Sequence, residues 1–222
     1  MPRKLVIPDV HGCLRTLIAL LNKVRFCPED DSLYFLGDLV NKGTDSLGVL
    51  DFAADLKEHY PNAVNFLMGN HDWQWFQALA YRDPSAEESI ENSNFPGILK
   101  TIDQATKMRY VHFFMKMNHY IELENDFIVH AGFLFKKENC FLDYESMMQI
   151  RDFPYDSQKA KGKRIIHGHN PKPLGFISES IKKRCPVLAL DNACVEKEKE
   201  SFGNLLCFEI DSNTLWVQKN IE

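Results

Sequence analysis

A chain of 222 residues with 45% hydrophobic and 26% charged residues has the make-up of a globular protein long enough to bury a sizeable core. Its formal net charge of -5 argues against non-specific binding to nucleic acid or to a membrane surface, so neither is expected as a partner. The start, MPRKLVIPDVHG, has no apolar stretch of signal-peptide length, no run approaches the ~18 apolar residues a bilayer span needs, and the six cysteines are scattered without a CxxC and read as reduced thiols, so a cytoplasmic location is expected.

Several segments share one form, a short apolar strand followed by a polar turn. The first is KLVIPDVHG at 4–12, followed by Leu14, Leu17, Ile18, Leu21 and Val24 at helical spacing. SLYFLGDLV at 32–40 is the second, and Leu47, Leu50 and Ala54 mark a helix between 45 and 60. AVNFLMGNHD at 63–72 is the third. Strands alternating with helices of this length predict βαβ units. Residues 82–97, RDPSAEESIENSNFPG, are polar with Pro and Gly and are expected to form a surface loop or lid edge. Residues 98–117 read as helix with Tyr110, Phe113 and Phe114 in the core, so a lid-like helical insertion at about 82–118 is expected within a single domain over 1–222. HYIELE and DFIVHAG form a hairpin around Asn125. RIIHGHN at 164–170 and VLALDNA at 187–193 follow, and NLLCFEID and TLWVQ form a second hairpin turning at Ser212-Asn213.

The strand ends carry Asp9 and His11, then Asp38, then Asn70 and His71, then His130, His167 and His169. Five of the eight histidines lie in these turns. Ligands bind outside the carboxyl ends of strands in open α/β sheets, and this set of carboxylate, amide and imidazole donors suits Mn²⁺, Fe or Zn²⁺ better than a thiolate site would. Asp9 and His11, two apart in an extended chain, are expected to point to one face while Val10 turns inward. Asp38 has two oxygens and can bridge two cations.

The motifs DVHG (9–12), GDLVNKG (37–43), GNHD (69–72), VHAG (129–132) and GHN (168–170) resemble the calcineurin-like metallophosphoesterase superfamily. More narrowly they resemble its PPP-type branch, which holds the phage lambda-type Ser/Thr phosphatase and the symmetrical diadenosine tetraphosphate hydrolases. The resemblance implies an α/β metallophosphoesterase-type α/β/β/α sandwich of mixed β-sheets, with the metal site at the C-terminal ends of the strands. It implies two divalent metal ions, Mn²⁺ first with Fe or Zn²⁺ as alternatives. Asp9, His11 and Asp38 would hold one, and Asp38, Asn70, His130 and His169 the other. His71 would be the catalytic acid that protonates the leaving oxygen, and Arg151, Lys42 and Asn70 would bind the substrate phosphate. His167 stands where the family has an apolar residue and is expected to be a packed, supporting histidine. Asn41-Lys42 replaces the family's Asp-Arg, so the carboxylate that partners the acid is missing.

The reading is a metal-dependent phosphoric ester hydrolase that cleaves phosphate monoesters, phosphoserine and phosphothreonine among them, by metal-activated hydroxide attack. The alternative is a symmetrical dinucleoside polyphosphate hydrolase: this chain's GDLVNKGTDSLGVL and MGNHDWQW resemble that group somewhat more closely, and the aspartate is replaced there too, although its members are typically longer. A metal-binding scaffold without turnover is less favoured, because all five motifs are intact, and a nuclease is weaker still, because the net charge is negative and the GH motif lacks the second histidine common in nucleases of the superfamily. The expected partner is a phosphorylated substrate: a phosphopeptide, a small phosphate ester or a dinucleoside polyphosphate.

Overall fold

The computed structural model describes residues 2–222. In chain order the elements are β1 (Arg3–Ile7), α1 (Leu14–Val24), β2 (Asp31–Phe35), α2 (Ser46–His59), β3 (Val64–Phe66), α3 (Asn70–Tyr81), α4 (Pro84–Ser93) and α5 (Gln104–Phe114). The second half adds β4 (Tyr120–Glu122), β5 (Asp126–Val129), α6 (Tyr144–Gln149), β6 (Arg164–His167), α7 (Leu174–Lys182), β7 (Val187–Ala189), β8 (Asn204–Glu209) and β9 (Thr214–Lys219).

The strands form two mixed sheets. One has the order β3-β2-β1-β8-β9, parallel across β3, β2 and β1 and antiparallel at β8 and β9. The other has the order β4-β5-β6-β7, parallel across β5, β6 and β7. Alternation along the strands explains why they stack. In β1, Leu5 and Ile7 face the helices α1 and α2, while Val6 joins Ile128, Ile166, Leu188 and Leu206 in the layer between the sheets. Phe127, Val129 and Ile165 cover the far face of the second sheet with Phe133 and Met147. The expected α/β/β/α sandwich is therefore the fold, although its outer layer on the second sheet is thin. There α6 and irregular chain do the covering, and Ile177 and Ile181 of α7 pack into the layer between the sheets.

Two expectations need correcting. Residues 84–93 are a helix, not a loop: Asp83 caps it by accepting from the Ala86 N–H at 2.9 Å, Pro84 starts it, and Ala86 and Ile90 are buried. Its apolar positions are few, which hid the helix among polar residues. Residues 98–117 are not one helix either. A 3₁₀ turn at Ile98–Thr101 precedes α5, and Asp103 caps α5 through the Thr106 N–H at 2.8 Å. Tyr110, Phe113 and Phe114 are buried as expected, and the Tyr110 hydroxyl donates to Asp51 at 2.8 Å.

Because β1, β2 and β3 run parallel in one sheet and β5, β6 and β7 in the other, each sheet gathers its following turns at one edge. The chemistry-bearing residues lie on those turns.

Candidate metal centre

The turn after β1 leaves extended geometry at once. His11 has φ 48° and Asp38 φ 51°, both in the left-handed region, as is His169 with φ 62°. The extended-chain argument for Asp9 and His11 is thereby overturned: His11 is aimed by a left-handed turn, with its N–H donating to the Asp38 carbonyl at 2.9 Å. Such residues cost about 1–3 kcal/mol each and persist where their surroundings hold them. Asp72 supplies much of that hold. Fully buried, it accepts from the N–H groups of Asp38 (2.6 Å), Leu39 (2.9 Å) and Gly69 (3.1 Å). Burial and the charge of Asp38 push its carboxyl up to about 7, with the three N–H donors pulling the other way. A Cβ on Gly69 would run into the Asp38 carboxylate, so the close approach of the two turns requires glycine there.

Three imidazoles point one nitrogen at a common space. His11 Nδ1 donates to the Val40 carbonyl at 2.9 Å, and His130 Nδ1 to the Leu36 carbonyl at 2.8 Å. These bonds leave both Nε2 atoms as lone-pair donors, the arrangement in which metal-binding histidines are held. His11 Nε2 lies 3.7 Å from Asp38 Oδ2, and His130 Nε2 lies 3.6 Å from Asp38 Oδ1. Nε2 of His169 is buried and has no hydrogen-bond partner among the described residues. Asn70 Oδ1 stands 3.3 Å from His130 Nε2. The donors fall into two groups, His11–Asp38–His71 and Asp38–His130–His169, with Asp38 common to both.

Asp9 does not fall in either group. It is buried, its two oxygens each lie 3.0 Å from the His169 N–H, and Gly168 passes so close that a Cβ there would strike its carboxylate. Asp191, which the sequence did not mark, is buried at the same edge and accepts from the Ala193 N–H at 2.7 Å. Burial, Asp191 and Asp38 all raise the Asp9 carboxyl, and burial lifts Asp191 to about 6. Asp38 stays ionised: burial opposes its charge, but His130, His11 and His71 hold it below the ordinary carboxylate range. Burial lowers His11 to about 3 and His169 to about 4, and it lowers His130 and His71 as well. Crowded buried carboxylates beside neutral imidazoles with free lone pairs fit divalent cations. The ammonium of Lys42, 3.0 Å from His11 Nε2, sits where a cation is favoured.

A cleft of about 220 Å³ opens over these groups, and exposed Lys42 and Arg151 line it with His71 and His169. His167 stays out of it: buried, with Nδ1 donating to the Gly168 carbonyl at 3.0 Å and its ring edge-on to Phe153.

His71 carries the most specific geometry. It sits in the first turn of α3, its N–H donates to Asp38 Oδ1 at 2.9 Å, and its Nδ1 is 2.8 Å from Asn41 Nδ2. Asn41 is fully buried. Its Oδ1 accepts from Trp75 Nε1 at 2.7 Å and from Asn94 Nδ2 at 2.8 Å. An indole N–H can only donate, so the amide oxygen must face Trp75 and the amide NH₂ must face His71. An amide NH₂ also only donates, so His71 Nδ1 accepts and the ring proton is on Nε2. Sequence reasoning marked Asn41 but not Trp75 or Asn94, which lie 34 and 53 residues away from it.

The calcineurin-like phosphoesterase family model matches residues 2–202. The chain belongs to that family. A symmetrical bis(5'-nucleosyl)-tetraphosphatase of Stutzerimonas stutzeri is 30% identical over 174 residues, which are 73% of this chain and 60% of that protein. The enzyme of the same description from Pectobacterium carotovorum is 51% identical over 67 residues, 30% of this chain and 22% of its own length. The matched part of the chain thus spans less than two thirds of the length of these relatives. Among solved structures, a protein serine/threonine phosphatase from Saccharomyces cerevisiae aligns with TM-score 0.70 at 14% identity, covering 100% of this chain and 81% of that one. A metallophosphoesterase from Sphaerobacter thermophilus aligns with TM-score 0.54 at 16% identity, over 100% and 88%. At these identities the structures support the phosphoesterase fold alone. Among the described residues no helix is long and apolar enough to cross a membrane.

Proposed function

We propose that this chain is a two-metal phosphoesterase acting on the phosphoanhydride of a dinucleoside polyphosphate. The proposed ligands are Asp9, His11 and Asp38 for one ion and Asp38, Asn70, His130 and His169 for the other, with Mn²⁺ the favoured metal. Two such ions would generate a nucleophile from water at neutral pH and neutralise the phosphoryl oxygens. Lys42 and Arg151 bind the phosphates beside them, Lys42 moving from His11 Nε2 to do so. We take the chain as one cytoplasmic domain with α4 and α5 inserted beside the site.

The observation that carries the substrate class is the Asn41–His71 hydrogen bond. With Nδ1 occupied as an acceptor, His71 offers a neutral Nε2–H and has no place for a second ring proton. Neutral imidazole steadies a leaving oxygen by hydrogen bonding and gives up no proton to it. A nucleoside diphosphate can leave that way, because its terminal phosphate oxygen holds its last proton with a pKa of only about 6. A serine or threonine alkoxide cannot. In the reaction, the water oxygen bonds to phosphorus, the bridging P–O bond breaks with its electron pair leaving on the departing nucleotide, one water proton passes to solvent, and the other stays on the new phosphate oxygen until that group ionises. This ordering reverses the one drawn from sequence, which put monoesters first and assigned His71 a proton transfer.

The test is turnover with Mn²⁺ on diadenosine tetraphosphate, a phosphoserine peptide and nitrophenyl phosphate in parallel. kcat/KM for diadenosine tetraphosphate should exceed that for the peptide by at least about 10², the low end of what positioned proton transfer contributes. A peptide turned over as well as the dinucleotide refutes the reading.

A further inference from the structure

Helix α3 begins at Asn70 in the metal centre, and residues 70, 73, 74 and 77 share one of its faces by their i, i+3, i+4, i+7 spacing. That face forms a wall of a second, larger cleft of about 790 Å³ that shares Asn70 with the metal site. The cleft differs from the phosphate cleft in charge. Lys42 and Arg151 belong to the phosphate cleft, whereas the larger one is lined by aromatic, amide and hydroxyl groups with Glu145 as its charged residue. It holds no cation to receive an anion, and Glu145 would repel one.

Its lining suits a flat, neutral, nitrogen-rich ring. Trp73 is half-buried against Phe76, with ring centroids 5.4 Å apart. His119 and Tyr144 stack at 4.1 Å with 14° between their planes, which makes a two-ring aromatic wall. His119 Nδ1 is buried and has no hydrogen-bond partner among the described residues. Gln74 Oε1 accepts from Ser89 Oγ at 3.2 Å, which leaves the amide NH₂ as the end available to a ligand. Aromatic faces with convergent amides are how proteins take an unstacked base, and the volume falls within the range of ligand-sized pockets.

We propose that this cleft is the subsite for one nucleobase of the substrate, seated between Trp73 and the His119–Tyr144 wall while the phosphates lie over the metal centre. The assignment rests on the dinucleoside polyphosphate reading above for its substrate, but it is tested separately.

The first experiment titrates ADP into the protein as purified with its metals and follows tryptophan fluorescence. ADP should quench it, Trp73→Phe should lose most of the quench, and inorganic pyrophosphate should produce little. The second measures KM for diadenosine tetraphosphate relative to KM for nitrophenyl phosphate. Trp73→Ala and Tyr144→Ala should each raise that ratio roughly tenfold, within the range of base-stacking losses. Trp73→Phe should restore it to within about threefold. Tyr144 is 46% exposed, so its removal leaves the core intact even if Trp73→Ala folds poorly. If both alanine variants leave the ratio unchanged, the subsite is wrong. A wild-type enzyme that ignores diadenosine tetraphosphate refutes the proposed function instead, and a Trp73-dependent ADP quench in that protein would still support the nucleobase subsite.

Discussion

Replacing Asn41 by aspartate changes one hydrogen bond from donor to acceptor at the centre of a buried network. In the wild-type protein Asn41 Oδ1 accepts from Trp75 and Asn94, and Nδ2 donates to His71 Nδ1 at 2.8 Å. In Asn41→Asp the first oxygen keeps both donors. The second oxygen faces His71 Nδ1 and can be satisfied only if that nitrogen carries a proton. Burying a carboxylate alone would cost several kcal/mol, but here it has two N–H donors and an imidazolium within reach. His71 is at present lowered by burial, with Asp38 opposing; an added carboxylate in contact raises it. The variant therefore gains a proton donor. Positioned proton transfer contributes about 10²–10⁴, equivalent to about 2.7–5.4 kcal/mol of barrier. The gain should appear in kcat for a phosphoserine peptide, at roughly 10², the lower end, because the new carboxylate also holds the proton back. It should stay within about threefold for diadenosine tetraphosphate and nitrophenyl phosphate, whose leaving groups depart without a proton. The variant's peptide activity should also fall at high pH as the second His71 proton is lost, a limb that the wild type, with no such proton, should lack. The assay is kcat against pH for the three substrates, with circular dichroism to check folding. A folded variant that speeds all three equally, or none, refutes the assignment of the His71 proton.

Asp38→Ala should lose both metal ions, read as metal content after dialysis against Mn²⁺, because one carboxylate belongs to both donor groups; a variant retaining one full equivalent would overturn the bridging role. Asp72→Ala strands three buried N–H groups, each worth about 1–3 kcal/mol, so it should lower stability to denaturant by several kcal/mol and weaken metal binding, although Asp72 belongs to neither donor group. Arg151→Ala should weaken inhibition by inorganic phosphate about tenfold at unchanged metal content, as loss of a charge-assisted hydrogen bond predicts. Asp31 takes a two-pronged bond from Arg3 (2.8 and 2.7 Å) and the Cys27 N–H at 2.9 Å; burial opposes its charge, but these bonds hold it below its ordinary range. Its stabilisation is present above the unfolded value of about 3.9 and is lost as pH falls through the lower folded value. Asp31→Asn should therefore be less stable than wild type by about 1 kcal/mol at pH 7, with Arg3 partly screened by solvent, and the gap in unfolding midpoint should close below pH 4.

The strands and their order of polar ends were legible because each is a local pattern. A run such as LVI followed by Pro8 and Asp9, or YFL followed by Gly37 and Asp38, marks a buried strand and a turn whatever surrounds it. That is why Asp38, Asn70, His130 and His169 could be placed at one edge before any fold was known. The helix at 84–93 was hidden because its two buried residues, Ala86 and Ile90, are too few to mark a period. Asp72 and Asp191 were passed over since their work is done on backbone N–H groups and buried charge, which no residue spacing records. The direction of the Asn41 amide depended on tertiary structure alone. Asparagine can present either end to His71, and the sequence contains both possibilities. Trp75, from the third turn-and-helix unit, and Asn94, from the end of α4, arrive from 34 and 53 residues away and claim the oxygen. Only after the chain has folded does the remaining NH₂ decide which nitrogen of His71 holds the proton, because hydrogen-bond donors compete in space and not along the chain.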